Sequence, residues 1–282
     1  MLGSRVATTL FLFATFAVHG QNGVYPWQPK STNSLVSKIS VPAGYQRVLL
    51  ERNSFGNWLR HLPLKAAGSP VRLHDGRLKS NQSVHHAVVD IDTGSRNLQQ
   101  CADAVIRLRA EYLYFSRQFT NITFNFTSGD PCRFDWWYSG YRPTVTGNRV
   151  SWKKQASLDH GYDNFRKYLT KVFAYAGTLS LARDLEPRTT VDDMQVGDAF
   201  VQGGSPGHAV IVLDQAVHKE TGKRVFLLGQ SYMPAQDFHV LKNRADPNLS
   251  PWFTIVRRGN LKTPEWEFKW SDLKYFPEVG RH

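Results

Sequence analysis

Between Gly197 and Lys242 the chain reads GDAFVQ, HAVIVLDQAV, RVFLLGQSYM and DFHVLK, apolar segments separated by short turns and loops. Short apolar runs bounded by Gly, Pro and Asp are strand signals. Thr221-Gly222 marks the turn between the second and third, and neighbours joined this closely form an antiparallel meander. Upstream, SVHHAVVDID reads as a buried strand closing at Gly94. Asn97 then predicts the cap of a helix of roughly 20 residues. On that helix Leu98, Cys101, Val105, Leu108, Tyr112 and Phe115 share one stripe. NITFNFTSG alternates as a strand, DWWYSGYRP reads as an aromatic loop leading to a strand at Arg149 to Trp152, and a second helix is expected from Asp163 to Leu185, ended by Pro187. Strand, helix, strand, helix and meander in that order predict an α+β fold, with helices packed on an antiparallel β-sheet meander.

A chain of 282 residues can bury a sizeable core without disulfide staples. Its first residues, MLGSRVATTLFLFATFAVHGQNG, carry Arg5 and an apolar run from Val6 to Val18. That run is shorter than the ~20 residues of a membrane span and is the pattern of an export signal. The expected organisation is a signal peptide over 1–20, an extended arm over 21–45 containing Pro26 and Pro29, and one domain over 46–282. No integral membrane span remains after signal cleavage, and the expected location is periplasmic or extracellular. The net charge of +12 comes from basic residues spread along the chain, with no zinc-finger spacing, RNA-binding signature or basic helix. Nucleic acid is therefore not the expected partner; for an exported chain, acidic envelope polymers are.

Cys101 is one of two cysteines. It falls in the first turn of the predicted helix, where the dipole and unpaired backbone N–H groups favour a thiolate and can hold an oxyanion. A disulfide to Cys132, inert packing and nucleophilic catalysis are the alternatives. A nucleophile needs a base, and His208 opens an apolar strand directly after the glycine-rich loop QGGSPG, where its ring is expected at the sheet rim. Gly203, Gly204 and Gly207 permit close approach of substrate or of another backbone. Gln100 or Gln99 is a candidate oxyanion donor, and Trp136, Trp137, Tyr138 and Tyr141 are candidates for stacking on sugar rings or for covering the core. His85 and His86, adjacent on a strand, point to opposite faces and cannot easily bind one metal; with Asp90 and Asp92 nearby a metal site is possible, but no known ligand spacing supports it. No cofactor motif is present in the sequence. Arg107 and Glu111, four apart on the helix, are expected to pair.

The segments QQCADAV and GDAFVQGGSPGHAVIVLD resemble the cysteine helix and the histidine strand of papain-like cell-wall cysteine peptidases and amidases of the NlpC and CHAP types. That resemblance implies a papain-like fold with Cys101 as nucleophile and His208 as base. A polar residue on the next strand would orient the histidine; Gln230 is the implied match, with Gln236 and Asp237 as rivals. Gln100 precedes Cys101 where the NlpC pattern has an aspartate, and the interval to the histidine is longer. NLQQCADAVIRLRAEYLY, FNFTSGD, GSPGHAVIVLD and QSYMPAQDFHVLKN resemble, over most of the chain, a bacterial family known only as a domain of unknown function.

The leading functional reading is an exported cysteine amidase or peptidase acting on peptidoglycan peptides. The alternative is a non-catalytic envelope protein that binds glycan or peptidoglycan, with Cys101 and Cys132 bridged. A metal-dependent hydrolase using the histidines is a third.

Overall fold

The turn-separated segments pair as their spacing predicts. In the computed structural model, which describes residues 33–255 and 259–277, the strands Ala199–Gln202, His208–His218, Arg224–Gln230 and His239–Leu241 lie side by side, each antiparallel to the next. His85–Val88 extends the sheet beyond His239–Leu241. Leu273–Tyr275 and then Glu186–Pro187 extend it on the other side. Tyr45–Arg47 pairs with the far half of His208–His218, and Phe253–Thr254 with the start of Arg224–Gln230. The result is a nine-stranded sheet in a mixed α+β fold.

The continuous apolar run has a simple cause: both faces of the sheet are covered. Ala209, Ile211 and Leu213 point into the larger core, together with the helix Cys101–Phe115. Val210 and Val212 point into a second core made with Met194, Phe226, Leu228, Phe253, Leu261, Phe268 and Leu273. Successive side chains of one strand thus serve two layers. The C-terminal tail, expected to wrap up the domain, supplies much of the second layer.

The cysteine helix is shorter than expected and more deeply buried. It runs from Cys101 to Phe115, with Gln100 rather than Asn97 at its N-cap. Its buried residues extend well beyond one stripe and include Asp103, Arg107 and Glu111, whereas Phe115 at its end is exposed. Arg107 and Glu111 do pair, at 3.3 Å, but inside the core. Arg107 also donates to Asp92 Oδ2 at 2.7 Å and to Gln99 Oε1 at 2.7 Å, while Tyr162 donates to Glu111 at 2.7 Å. Such a network is tolerable in a core because each charge meets an opposite charge or a hydrogen bond. It fixes the helix to the loop that feeds it.

The helix expected over Asp163 to Leu185 is two helices, Tyr162–Tyr175 and Thr178–Asp184, broken at Ala176-Gly177. Ser180 Oγ accepts from the Gly177 N–H at 3.0 Å and starts the second. The aromatic segment is a short helix, Phe134–Tyr138, followed by the hairpin Tyr141–Thr146 and Arg149–Lys154. The segment expected to be a signal peptide and the expected arm up to residue 32 lie outside the described residues. The rest of the arm is packed: Leu35 and Ile39 sit in the main core.

Candidate functional site

The loop ahead of His208 needs its glycines for packing against backbone. A Cβ on Gly207 would stand 2.4 Å from Thr178 Oγ1 and 2.7 Å from the carbonyl oxygens of Gln202 and Gly204. Gly203 likewise packs on Ala182, and Thr178 Oγ1 donates to the Gly204 carbonyl at 3.1 Å. This contact holds the loop to the helix Thr178–Asp184 and delivers His208 as the first residue of its strand, paired with Gln202.

His208 is at the strand entrance, as expected, but its ring is buried rather than at an open rim. Tyr232, Trp266 and Phe268 enclose it at ring separations of 4.8, 5.2 and 5.8 Å. Its Nε2 lies 2.8 Å from Gln230 Oε1 on the neighbouring strand. Burial pushes the imidazole down to about 4, against the opposing effect of the Gln230 hydrogen bond. Gln236 and Asp237 have other partners. Gln236 donates to the Pro234 carbonyl, and Asp237 accepts from Lys65 and from the Arg72 N–H.

Gln230 is itself held from behind. Its Nε2 donates to Glu265 Oε2 at 2.8 Å and lies 3.5 Å from His239 Nε2. Glu265 Oε1 accepts from Lys79 Nζ at 2.7 Å, and the Lys79 ammonium stands 5.0 Å from the Tyr232 ring centre. None of Glu265, Lys79, His239 and Trp266 carries a sequence signal for this role. They come from distant segments that meet only when the sheet closes.

Cys101 is the first residue of its helix and its thiol is free. Cys132 is also free and wholly buried, its carbonyl accepting from the Tyr168 hydroxyl at 2.8 Å. The expected alternative of a Cys101–Cys132 disulfide is corrected accordingly. Burial pushes the Cys101 thiol up to about 11, and the Asp103 carboxylate adds to the rise. The backbone N–H groups of Cys101, Ala102 and Ala209 act in the opposite sense. Ala209 directly follows His208, so the thiol meets the strand that His208 opens. The helix-end stabilisation of a thiolate is present but outweighed by desolvation, and the resting thiol and imidazole are both neutral at pH 7.

The remaining predicted residues divide by location. Gln100 stands beside Cys101 with its Nε2 donating to Asn97 Oδ1 at 3.2 Å, and Asn97 Oδ1 also accepts from the Ala235 N–H at 2.7 Å. Gln99 is buried, with its side-chain oxygen on Arg107. Trp137 is buried and donates to Asn164 Oδ1 at 2.9 Å; Trp136 is exposed and packs edge-on against Trp152. Their helix packs against Phe119–Asn121, beyond the C-terminal end of the cysteine helix. That end is about 22 Å along the helix axis from Cys101, so the structure does not bring the tryptophans to the thiol. His85 Nε2 lies 3.1 Å from the Ser69 carbonyl. No group of three or more His, Cys, Asp or Glu among the described residues is arranged to hold a metal ion. No helix among them is long and apolar enough to cross a membrane.

Fold and site together define an α+β protein with a free cysteine opening a buried helix and a histidine–glutamine pair on adjacent antiparallel strands, the thiol meeting the backbone N–H of Ala209 next to that histidine. The chain belongs to the family described as Domain of unknown function (4846), which matches residues 35–275. No curated protein and no solved structure matches it.

Proposed function

We propose that the chain is an exported, papain-like cysteine amidase or peptidase acting on peptide or related amide bonds of the cell wall. The observation that carries this reading is the Nε2–Oε1 contact of 2.8 Å between His208 and Gln230. It is made beside a free cysteine whose thiol meets the Ala209 N–H. In the proposed reaction His208 Nδ1 takes the Cys101 proton as the sulfur attacks the amide carbonyl. The C–N bond breaks, His208 returns the proton to the leaving amine, and an acyl-enzyme remains. Water activated by the same histidine then releases the acid and frees the thiol. A neutral thiol beside a neutral imidazole suits base-assisted attack, because proton transfer then accompanies the approach of substrate. The net charge of +12 favours an acidic wall polymer as substrate.

The test is release of free amines from peptidoglycan by the purified protein. Cys101→Ala and His208→Gln are expected to abolish it, Cys101→Ala while leaving the thermal midpoint within a few degrees of wild type. A Cys101→Ala protein that still cleaves the polymer would refute the nucleophile. A wild-type protein that binds peptidoglycan without cleaving it would favour the non-catalytic reading.

A further inference from the structure

We infer that Glu265 is a positioning residue that sets the proton of His208 on Nε2, acting through the side-chain amide of Gln230. The inference rests on reading Cys101 and His208 as nucleophile and base, and it extends that site by a layer.

The argument is one of hydrogen-bond polarity. His239 Nδ1 lies 2.9 Å from the Asp237 carbonyl, which can only accept, so Nδ1 carries the proton and His239 Nε2 is a bare lone pair. The Glu265 carboxylate is also an acceptor, and its other oxygen, Oε1, accepts from Lys79 at 2.7 Å. Both acceptors converge on one end of the Gln230 amide, Glu265 at 2.8 Å and His239 at 3.5 Å. That end must be the NH2 group. Turning the amide over would set its oxygen against a carboxylate oxygen at hydrogen-bond distance and against a lone pair, with no proton between either pair. Oε1 therefore faces His208 Nε2, and a contact of 2.8 Å to an oxygen acceptor requires that Nε2 carry the hydrogen. Nδ1 is left with the lone pair that a general base needs. The ring is buried, so water cannot reassign the proton freely.

The chain of partners from Lys79 to His208 is thus Lys79, Glu265, Gln230 and His208, drawn from four separate segments. Glu265 touches neither the thiol nor the imidazole. Its effect is to remove the one orientation of Gln230 that would stabilise the wrong tautomer.

Full-length protein labelled with 15N-histidine tests this without any substrate, His208 being assigned by the signal lost in His208→Gln. The wild type is expected to show His208 protonated on Nε2 and unprotonated on Nδ1. In Glu265→Ala the amide can turn over, and loss of a charge-assisted hydrogen bond should move the tautomer ratio by about tenfold toward Nδ1–H. Alkylation of Cys101 by iodoacetamide should fall in step. Glu265→Gln retains an oxygen that accepts from Gln230, and it should restore the wild-type tautomer. A purely structural role would not move the tautomer and would not be rescued in this way. A wild-type His208 protonated on Nδ1 overturns the inference, as does a folded Glu265→Ala protein with the wild-type tautomer ratio. The wild-type spectrum decides the matter even where Glu265→Ala fails to fold. An unreactive Cys101 beside an Nε2–H His208 would sink the hydrolase reading and leave the positioning role standing. An active enzyme whose tautomer ignores Glu265 would do the reverse.

Discussion

Asp103 is two residues past Cys101 on the same helix and is buried, 5% exposed. Its Oδ2 accepts from the Gln100 N–H at 3.1 Å, while its Oδ1 is enclosed without a partner. Burial pushes its carboxyl up to about 8 from an ordinary value of 3.8. The folded state therefore binds a proton between those two pH values that the unfolded chain has released. The sign follows: this stabilisation is complete below the lower value and is lost as pH rises through the higher one. At about 1.4 kcal/mol per pH unit, the loss by pH 7 is at most about 4 kcal/mol. Asparagine is neutral throughout and keeps an oxygen for the Gln100 N–H. Asp103→Asn is expected to unfold at higher urea than wild type at pH 7 and pH 8.5, with the difference vanishing near pH 4. Because ionised Asp103 raises the Cys101 thiol, the variant should also alkylate faster at pH 9. A variant no more stable than wild type at pH 7, or a gain independent of pH, would refute the assignment of a protonated, desolvated carboxyl.

The buried histidines act with the opposite sign. His208 and His239 are pushed down to about 4 and about 3 by burial. Their contribution is intact above the unfolded value of 6.5 and is lost as pH falls, by about 4 kcal/mol for the pair at pH 5; urea midpoints from pH 7 to pH 5 measure it, and a flat profile would contradict it. Gly207→Ala meets two carbonyl oxygens and a hydroxyl at 2.7 Å or less, so it should cost about 1–3 kcal/mol and slow Cys101 alkylation by displacing the loop before His208. Arg107→Ala takes the buried guanidinium from the wholly buried Glu111, leaving it Tyr162 and the more distant Arg166, and should cost up to about 3–5 kcal/mol; a thermal midpoint unchanged within error would refute the buried network. Thiol titration of the native protein is expected to find Cys101, slowly at pH 7 because its thiol is neutral there, and Cys132 only after denaturation, since Cys132 is 0% exposed.

The parts of the fold legible in the sequence are those set by local periodicity. Apolar runs with short turns between them gave the antiparallel meander, and their lack of alternation reflects a sheet covered on both faces. Helix spacing placed Cys101 at a helix start, although the cap shifted from Asn97 to Gln100 because Asn97 is engaged by the Ala235 N–H and the Gln100 side chain. The break at Gly177 is not legible because the apolar pattern continues across it and only a local contact, Ser180 Oγ with the Gly177 N–H, starts the second helix.

The sequence by itself determined that a helix-opening cysteine and a strand-opening histidine exist in one α+β chain. Tertiary structure alone decided which polar side chain meets the histidine. Gln230 is the implied match with Gln236 and Asp237 as rivals, and of the three it is Gln230 that bonds His208 while the others have partners elsewhere. It also decided that the cysteines are unbridged, that desolvation outweighs the helix end at Cys101, and that Glu265 and Lys79 stand behind Gln230. Periodicity records which residues are buried, because burial repeats with the backbone. Partnership across a core depends on which segments the sheet order makes neighbours, and no local pattern encodes that.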